Sequence, residues 1–147
     1  MSEVDEFLAD VLPRFRRAER ALHNGDPEPR IAMWSHQEPV TLFGASMGGQ
    51  GWDQLEEVFR FLGREFSDCT AYENEVIAAG ASGDLGYVVA HEHTTASVGG
   101  AEPAPYTLRV TTIYRREQGE WKVVHRHGDA LASQDGGAQV RRLAESR

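Results

Sequence analysis

Two short motifs carry paired imidazoles, His91-Glu92-His93 and His125-Arg126-His127. In an extended chain, residues two apart share a face, so each motif sets two histidines side by side. A neutral imidazole can take or give a proton near pH 7, and several together can hold a metal ion. Asp129 stands two residues beyond His127, where a carboxylate can orient an imidazole. Cys69 is the only cysteine. It sits where a strand begins and reads as a buried structural thiol. It has no internal partner for a disulfide, which points to a reducing compartment.

The elements that must position these groups follow from periodicity. Val4, Phe7, Leu8, Val11, Leu12, Phe15, Ala18 and Leu22 recur at three- and four-residue steps, the pattern of one amphipathic helix over residues 2–23. Ser2 is its expected N-cap, with Asp5 in the reciprocal acidic position. A short helix over 27–34, a strand over 40–43, a loop over 44–51 and a helix over 52–66 follow. The glycines at 48, 49 and 51 suggest a lid over a pocket rather than a phosphate loop. Four strands are expected over 70–79, 85–97, 106–117 and 120–129, with turns at 80–84 and at Gln118-Gly119. Helices followed by hairpin-connected strands make an α+β domain.

A two-residue turn centred on Gln118-Gly119 places Val110 opposite His127, Thr112 opposite His125 and Tyr114 opposite Val123. This face also carries Trp121 and is the more apolar of the two. It is therefore assigned to the concave, helix-covered side, with Thr112, Tyr114, His125 and His127 pointing into a hollow. Arg109, Thr111, Arg115, Lys122 and Arg126 fall on the reverse face, towards solvent or another subunit. Trp34, Phe43, Trp52 and Tyr87 are the aromatic residues expected to line an apolar, ligand-binding pocket. The two histidine pairs lie two strand spacings apart, about 10 Å, whereas a single ion needs ligands at about 2 Å. No metal is assigned, and no cofactor is implied.

The chain has 147 residues, 40% apolar and 26% charged, the balance of one globular domain. The reading is a single domain over 1–132 and a polar tail over 133–147. A formal net charge of −8 disfavours nucleic acid and anionic membrane surfaces as partners. No apolar run approaches the ~20 residues of a membrane span, and residues 1–6 lack the features of a signal peptide. A cytoplasmic location is expected.

Three stretches carry a family resemblance: Met33 through Gly44 with Gly51-Trp52-Asp53-Gln54-Leu55; Gly83-Asp84-Leu85-Gly86-Tyr87; and Leu108 through Asp129, with its Gly119-Glu120-Trp121 turn and His125-Arg126-His127 end. Together they resemble the SnoaL-like and ketosteroid-isomerase-like proteins of the nuclear transport factor 2 superfamily, many of them bacterial. The resemblance implies a cone in which N-terminal helices pack into a curved antiparallel β-sheet. It also singles out Glu38, because ketosteroid isomerases place a catalytic carboxylate before Pro-Val, here Glu38-Pro39-Val40. Those isomerases also use a tyrosine from the first helix and a protonated acid on the sheet. Arg17 or a neighbour falls at the tyrosine position and no sheet acid matches, which argues against steroid isomerisation. The final hairpin is similar to the association (hub) domain of calmodulin-dependent kinases.

Two functions are compatible with this fold. One is a small-molecule binder, an isomerase, cyclase or hydrolase doing cofactor-free proton transfer on a hydrophobic ring-type substrate through Glu38, His125, His127 and Asp129. The other is a non-catalytic oligomerisation module. A homodimer is expected in either case, through the sheet face carrying Ile113 and Val124.

Overall fold

The structure, a computed structural model, describes residues 1–131 and Glu145; the tail expected over 133–147 lies outside the described residues apart from Glu145. Helix α1 spans Glu3–Leu22. Its N-terminus is closed by a reciprocal cap: Asp5 N donates to Ser2 Oγ at 3.2 Å and Ser2 N donates to Asp5 Oδ2 at 3.4 Å. Phe7, Val11, Phe15, Ala18 and Leu22 are buried, so the apolar stripe read from the sequence is the face that enters the core. Helix α2 is Glu28–Met33 and helix α3 is Trp52–Glu65.

Among the described residues, six strands form one sheet in the order β2-β1-β6-β5-β4-β3. They are β1 Thr41–Phe43, β2 Gly48–Gln50, β3 Phe66–Ser82, β4 Leu85–Val98, β5 Ala104–Glu117 and β6 Glu120–Ala130. Strands β3 to β6 are the expected antiparallel meander. The sheet is mixed at one edge, where β1 runs parallel to β6. The segment 44–51, read as loop, contains β2 paired antiparallel to β1. The sheet is curved and unclosed, with the helices on its inner side. Register shifts in β3, between Ser67/Ala71 and Val76/Ala78, fall where such irregularities bend a long strand.

Gly86 lets α1 sit directly on β4. A Cβ there would lie 2.8 Å from the Phe7 ring, so any larger residue would push the helix off the sheet. Phe7 in turn packs edge-on against Tyr114 at 5.2 Å and Trp121 at 4.8 Å between ring centroids, which fills the narrow end of the cone.

One feature of β6 corrects the face assignment. Tyr114 pairs with Val123 as expected, but the next pair is Ile113 with His125. Val124 is an extra residue, a β-bulge, and every residue beyond it changes parity. Thr112 therefore pairs with Arg126 and Thr111 with His127. Trp121, Val123, Arg126 and Gly128 are buried, whereas His127 is exposed and His125 half-buried. Arg126 points into the cone, and the two histidines occupy its outer face.

Candidate functional site

The wide end of the cone encloses a half-open cavity of about 660 Å³, within the ~300–1,000 Å³ range of small-molecule sites. Its walls are apolar, with Leu42, Val58, Leu62, Phe66, Ala96 and Leu108 among them. Segment 44–47 and the residues around the β4–β5 connection form its rim. Four polar side chains reach the cavity from its inner end: His23, Arg30, Tyr106 and Arg126.

These four are held by a buried network. Glu19, one turn before His23 on α1, is 1% exposed and accepts two bonds of 2.6 Å from Arg30 Nη2. Glu92 is 3% exposed and takes a two-pronged bond from Arg126, Nη1 to Oε2 at 2.8 Å and Nη2 to Oε1 at 3.0 Å. Buried charges persist only when paired and hydrogen-bonded, and both conditions are met. Burial pushes the Glu19 carboxyl up, but the charges of Arg30 and Arg126 beside it outweigh that and hold it below the usual carboxylate range. Burial alone would lower the Arg126 guanidinium, and Glu92 and Glu19 reverse that, so it stays charged. Arg30 keeps a buried Nε with no hydrogen-bond partner among the described residues.

His23 has a defined tautomer. Its Nδ1 lies 2.7 Å from the Glu19 carbonyl oxygen, which can only accept, so Nδ1 carries the proton. Nε2 is then the acceptor, and the Tyr106 hydroxyl donates to it at 2.5 Å. Burial lowers the His23 pKa below its ordinary value, only partly offset by Glu19, so the ring is neutral near pH 7. Burial pushes the Tyr106 phenol up to about 12. The pair thus sets a neutral base against a protonated acid at the end of an apolar cavity.

None of the ten residues singled out from the sequence lines this cavity. Glu38 is exposed and does other work: its Oε1 accepts from Trp52 N at 2.8 Å and its Oε2 from Val40 N at 3.3 Å. Gly51, the N-cap of α3, has φ 88° and no side chain to offer, so Glu38 caps the helix from a distance. The bulge at Val124 turns His125 and His127 outward, where His125 Nδ1 meets Thr41 Oγ1 at 2.6 Å and both rings pack on Phe43. Asp129 does not orient His127; it is clamped by Arg109 through bonds of 3.0 and 2.9 Å. Phe43 is 57% and Tyr87 46% exposed. Trp34 is core, packed on Phe59 at 5.2 Å, and Trp52 stacks on His36 at 3.8 Å. Thr112 and Tyr114 do face inward and are buried, but outside the cavity lining.

The residues that build the cavity's polar end left partial traces in the sequence. Glu19 lies beside the apolar stripe of α1, and Glu92 shares its parity with Val88, Ala90 and Thr94 on β4, all buried. A charge at a core position is a buried-network signal. Arg126 had no such signal, because its inward parity exists only through the bulge.

Solved structures of similar shape come from several bacteria. A nuclear transport factor 2-like superfamily protein from Salmonella enterica serovar Typhimurium superposes with TM-score 0.75 at 17% identity, covering 88% of this chain and 94% of that one. A candidate dehydratase of the nuclear transport factor 2-like family from Streptomyces avermitilis gives 0.72 at 15% identity, covering 88% and 99%. A ketosteroid isomerase-like protein from Erwinia carotovora atroseptica gives 0.69 at 21% identity, covering 88% and 99%. At these identities the likeness is one of fold. No curated protein matches the chain. The SnoaL-like domain matches residues 11–133, most of the length and every element from within α1 to the end of β6, and the chain belongs to that SnoaL-like family.

Proposed function

We propose that this protein binds a hydrophobic ring-type molecule in the 660 Å³ cavity and moves a proton on it, with His23 as base and Tyr106 as acid. The observation that carries this reading is the His23–Tyr106 hydrogen bond at the inner end of a mainly apolar cavity. A ligand carbonyl entering there takes the Tyr106 hydroxyl as its donor and frees His23 Nε2. Nε2 then accepts a proton from the carbon beside the carbonyl, while Tyr106 and Arg30 stabilise the enolate oxygen. On a ketone with a double bond between its β and γ carbons the enolate extends over that bond, and return of the proton to the γ carbon shifts the double bond into conjugation. On a saturated ketone the proton returns to the same carbon and only hydrogen exchange results. In neither case is an external reagent consumed. The fold is shared with a candidate dehydratase and a ketosteroid isomerase-like protein, which is compatible with this chemistry. A hub-type module has no need of a half-open cavity with a catalytically suited base and acid. Exposed Phe43 and Tyr87 on the outer face support a homodimer through that face as part of the same proposal.

The test uses ring ketones of steroid-, polyketide- and terpene-like shape, screened by tryptophan fluorescence. Bound ketones are then followed by NMR for hydrogen–deuterium exchange at carbon in D₂O. Binding should be lost in Val98→Trp, which fills the rim from an exposed position. Exchange should fall roughly 100-fold or more in His23→Gln, the range of a lost general base. Binding indifferent to Val98→Trp, or exchange that survives His23→Gln, overturns the proposal.

A further inference from the structure

We propose that Glu75, His91 and His93 form a binding site for a divalent transition-metal ion such as Zn²⁺ on the outer face of the sheet, separate from the cavity. His91 and His93 share the outer face of β4, and the register sets Glu75 of β3 directly opposite His91. One carboxylate oxygen is the common neighbour of both rings. Glu75 Oε1 lies 3.6 Å from His91 Nδ1 and 3.1 Å from His93 Nε2, and the three donor atoms lie within 4.8 Å of one another. Ligands at about 2.0–2.2 Å on a tetrahedral ion stand about 3.3 Å apart, so the two nitrogen–oxygen distances bracket what a shared ion requires. Two imidazoles and a carboxylate are a donor set suited to zinc and its neighbours rather than to magnesium or calcium, which take oxygen.

The surroundings support coordination by His93. Its Nδ1 is 2.9 Å from Thr107 Oγ1 on β5. Without an ion, His93 Nε2–H donates to Glu75 Oε1 and Nδ1 accepts from the Thr107 hydroxyl. An ion that takes the place of the Nε2 proton shifts the ring to the other tautomer, in which Nδ1–H donates to Thr107 Oγ1; an outer hydrogen bond of this kind orients a metal-bound imidazole. The three groups are half-buried or exposed, so an ion can enter from solvent and water can fill a fourth position. Arg109, the β5 neighbour of His91, has its charge engaged by Asp129. The second histidine pair takes no part, since His125 and His127 lie across β5 on β6.

The experiment is calorimetric titration of the untagged full chain with ZnCl₂ at neutral pH, supported by Co²⁺ absorption spectra. One ion per chain should bind with micromolar affinity or tighter. Glu75→Gln and His93→Ala should each weaken binding at least roughly 10-fold, Thr107→Val should weaken it less, and affinity should fall as the pH drops and protons compete for the histidines. His125→Ala and His127→Ala should leave it unchanged, and Mg²⁺ should not bind. Absence of saturable Zn²⁺ binding, binding that survives the His91→Ala/His93→Ala pair, or binding lost through His127→Ala overturns the proposal. Ketone binding in the cavity is unaffected in either event, so the two proposals fail independently.

Discussion

Arg126 of β6 reaches inward to grip both oxygens of Glu92 on β4, at 2.8 and 3.0 Å, spanning the intervening strand β5. Its guanidinium also lies 5.8 Å from the Phe15 ring of α1. The ion pair therefore ties two strands of the sheet together beneath the first helix, and it leaves Arg126 bordering the cavity. Removing one partner strands a buried charge, which typically costs 3–5 kcal/mol. Glu92→Gln and Arg126→Met should each lose about that much in urea denaturation. The double variant Glu92→Leu/Arg126→Met should recover much of it, because an apolar pair needs no desolvation. Additive losses in the double variant would mean that the pair contributes nothing as a pair.

Acid sensitivity follows from His23. Its folded pKa lies below the unfolded value of 6.5 because burial disfavours the cation. The unfolded chain then binds more protons below pH 6.5, so stability falls as the pH drops from 6.5 towards the folded value. His125, also lowered by burial and by His127, adds in the same direction. Glu19 is lowered too, and its contribution is present above its reference value of 4.5 and lost as the pH falls through the folded one. Thermal melts should therefore show an upper step below pH 6.5 that shrinks in His23→Gln, and a lower step below pH 4.5 that remains. An unchanged upper step in His23→Gln would assign it elsewhere.

Much of the framework is legible in the sequence because local rules govern it. The stripe of α1, the Ser2–Asp5 cap, the Gln118-Gly119 turn and the period-two strands all express themselves over a few residues. The site is different. Its polar end depends on a single extra residue, Val124, that no propensity marks, and this residue decides whether Arg126 or His125 and His127 face the core. Its walls come from segment 44–47, α3 and the β4–β5 connection, which meet only through tertiary packing. Alternation identified Thr112 and Tyr114 as inward because they lie on β5, whose alternation is unbroken, and it failed on β6 beyond the extra residue Val124.

Outer-face substitutions should be nearly silent for binding. His127→Ala removes an exposed ring that packs on an exposed Phe43, and surface changes of this kind usually fall within about 0.5 kcal/mol. Ring-ketone binding measured by fluorescence should match the parent protein. A His127→Ala variant that folds normally yet loses binding would move the site to the convex face.

Glu38 tests the difference between a base and a cap. Its two oxygens accept backbone protons from Trp52 and Val40, and a carboxylate at a helix N-terminus also meets the positive end of the helix dipole. Glu38→Ala should lose about 1 kcal/mol, the usual cost of removing a cap. Glu38→Gln keeps an acceptor oxygen and should lose less. If Glu38 were the proton-transfer group, the order would invert: glutamine, unable to take a proton, would abolish carbon exchange with stability intact. Melting temperature and deuterium exchange measured on the same two variants separate the cases, and the structure predicts that stability changes while exchange does not.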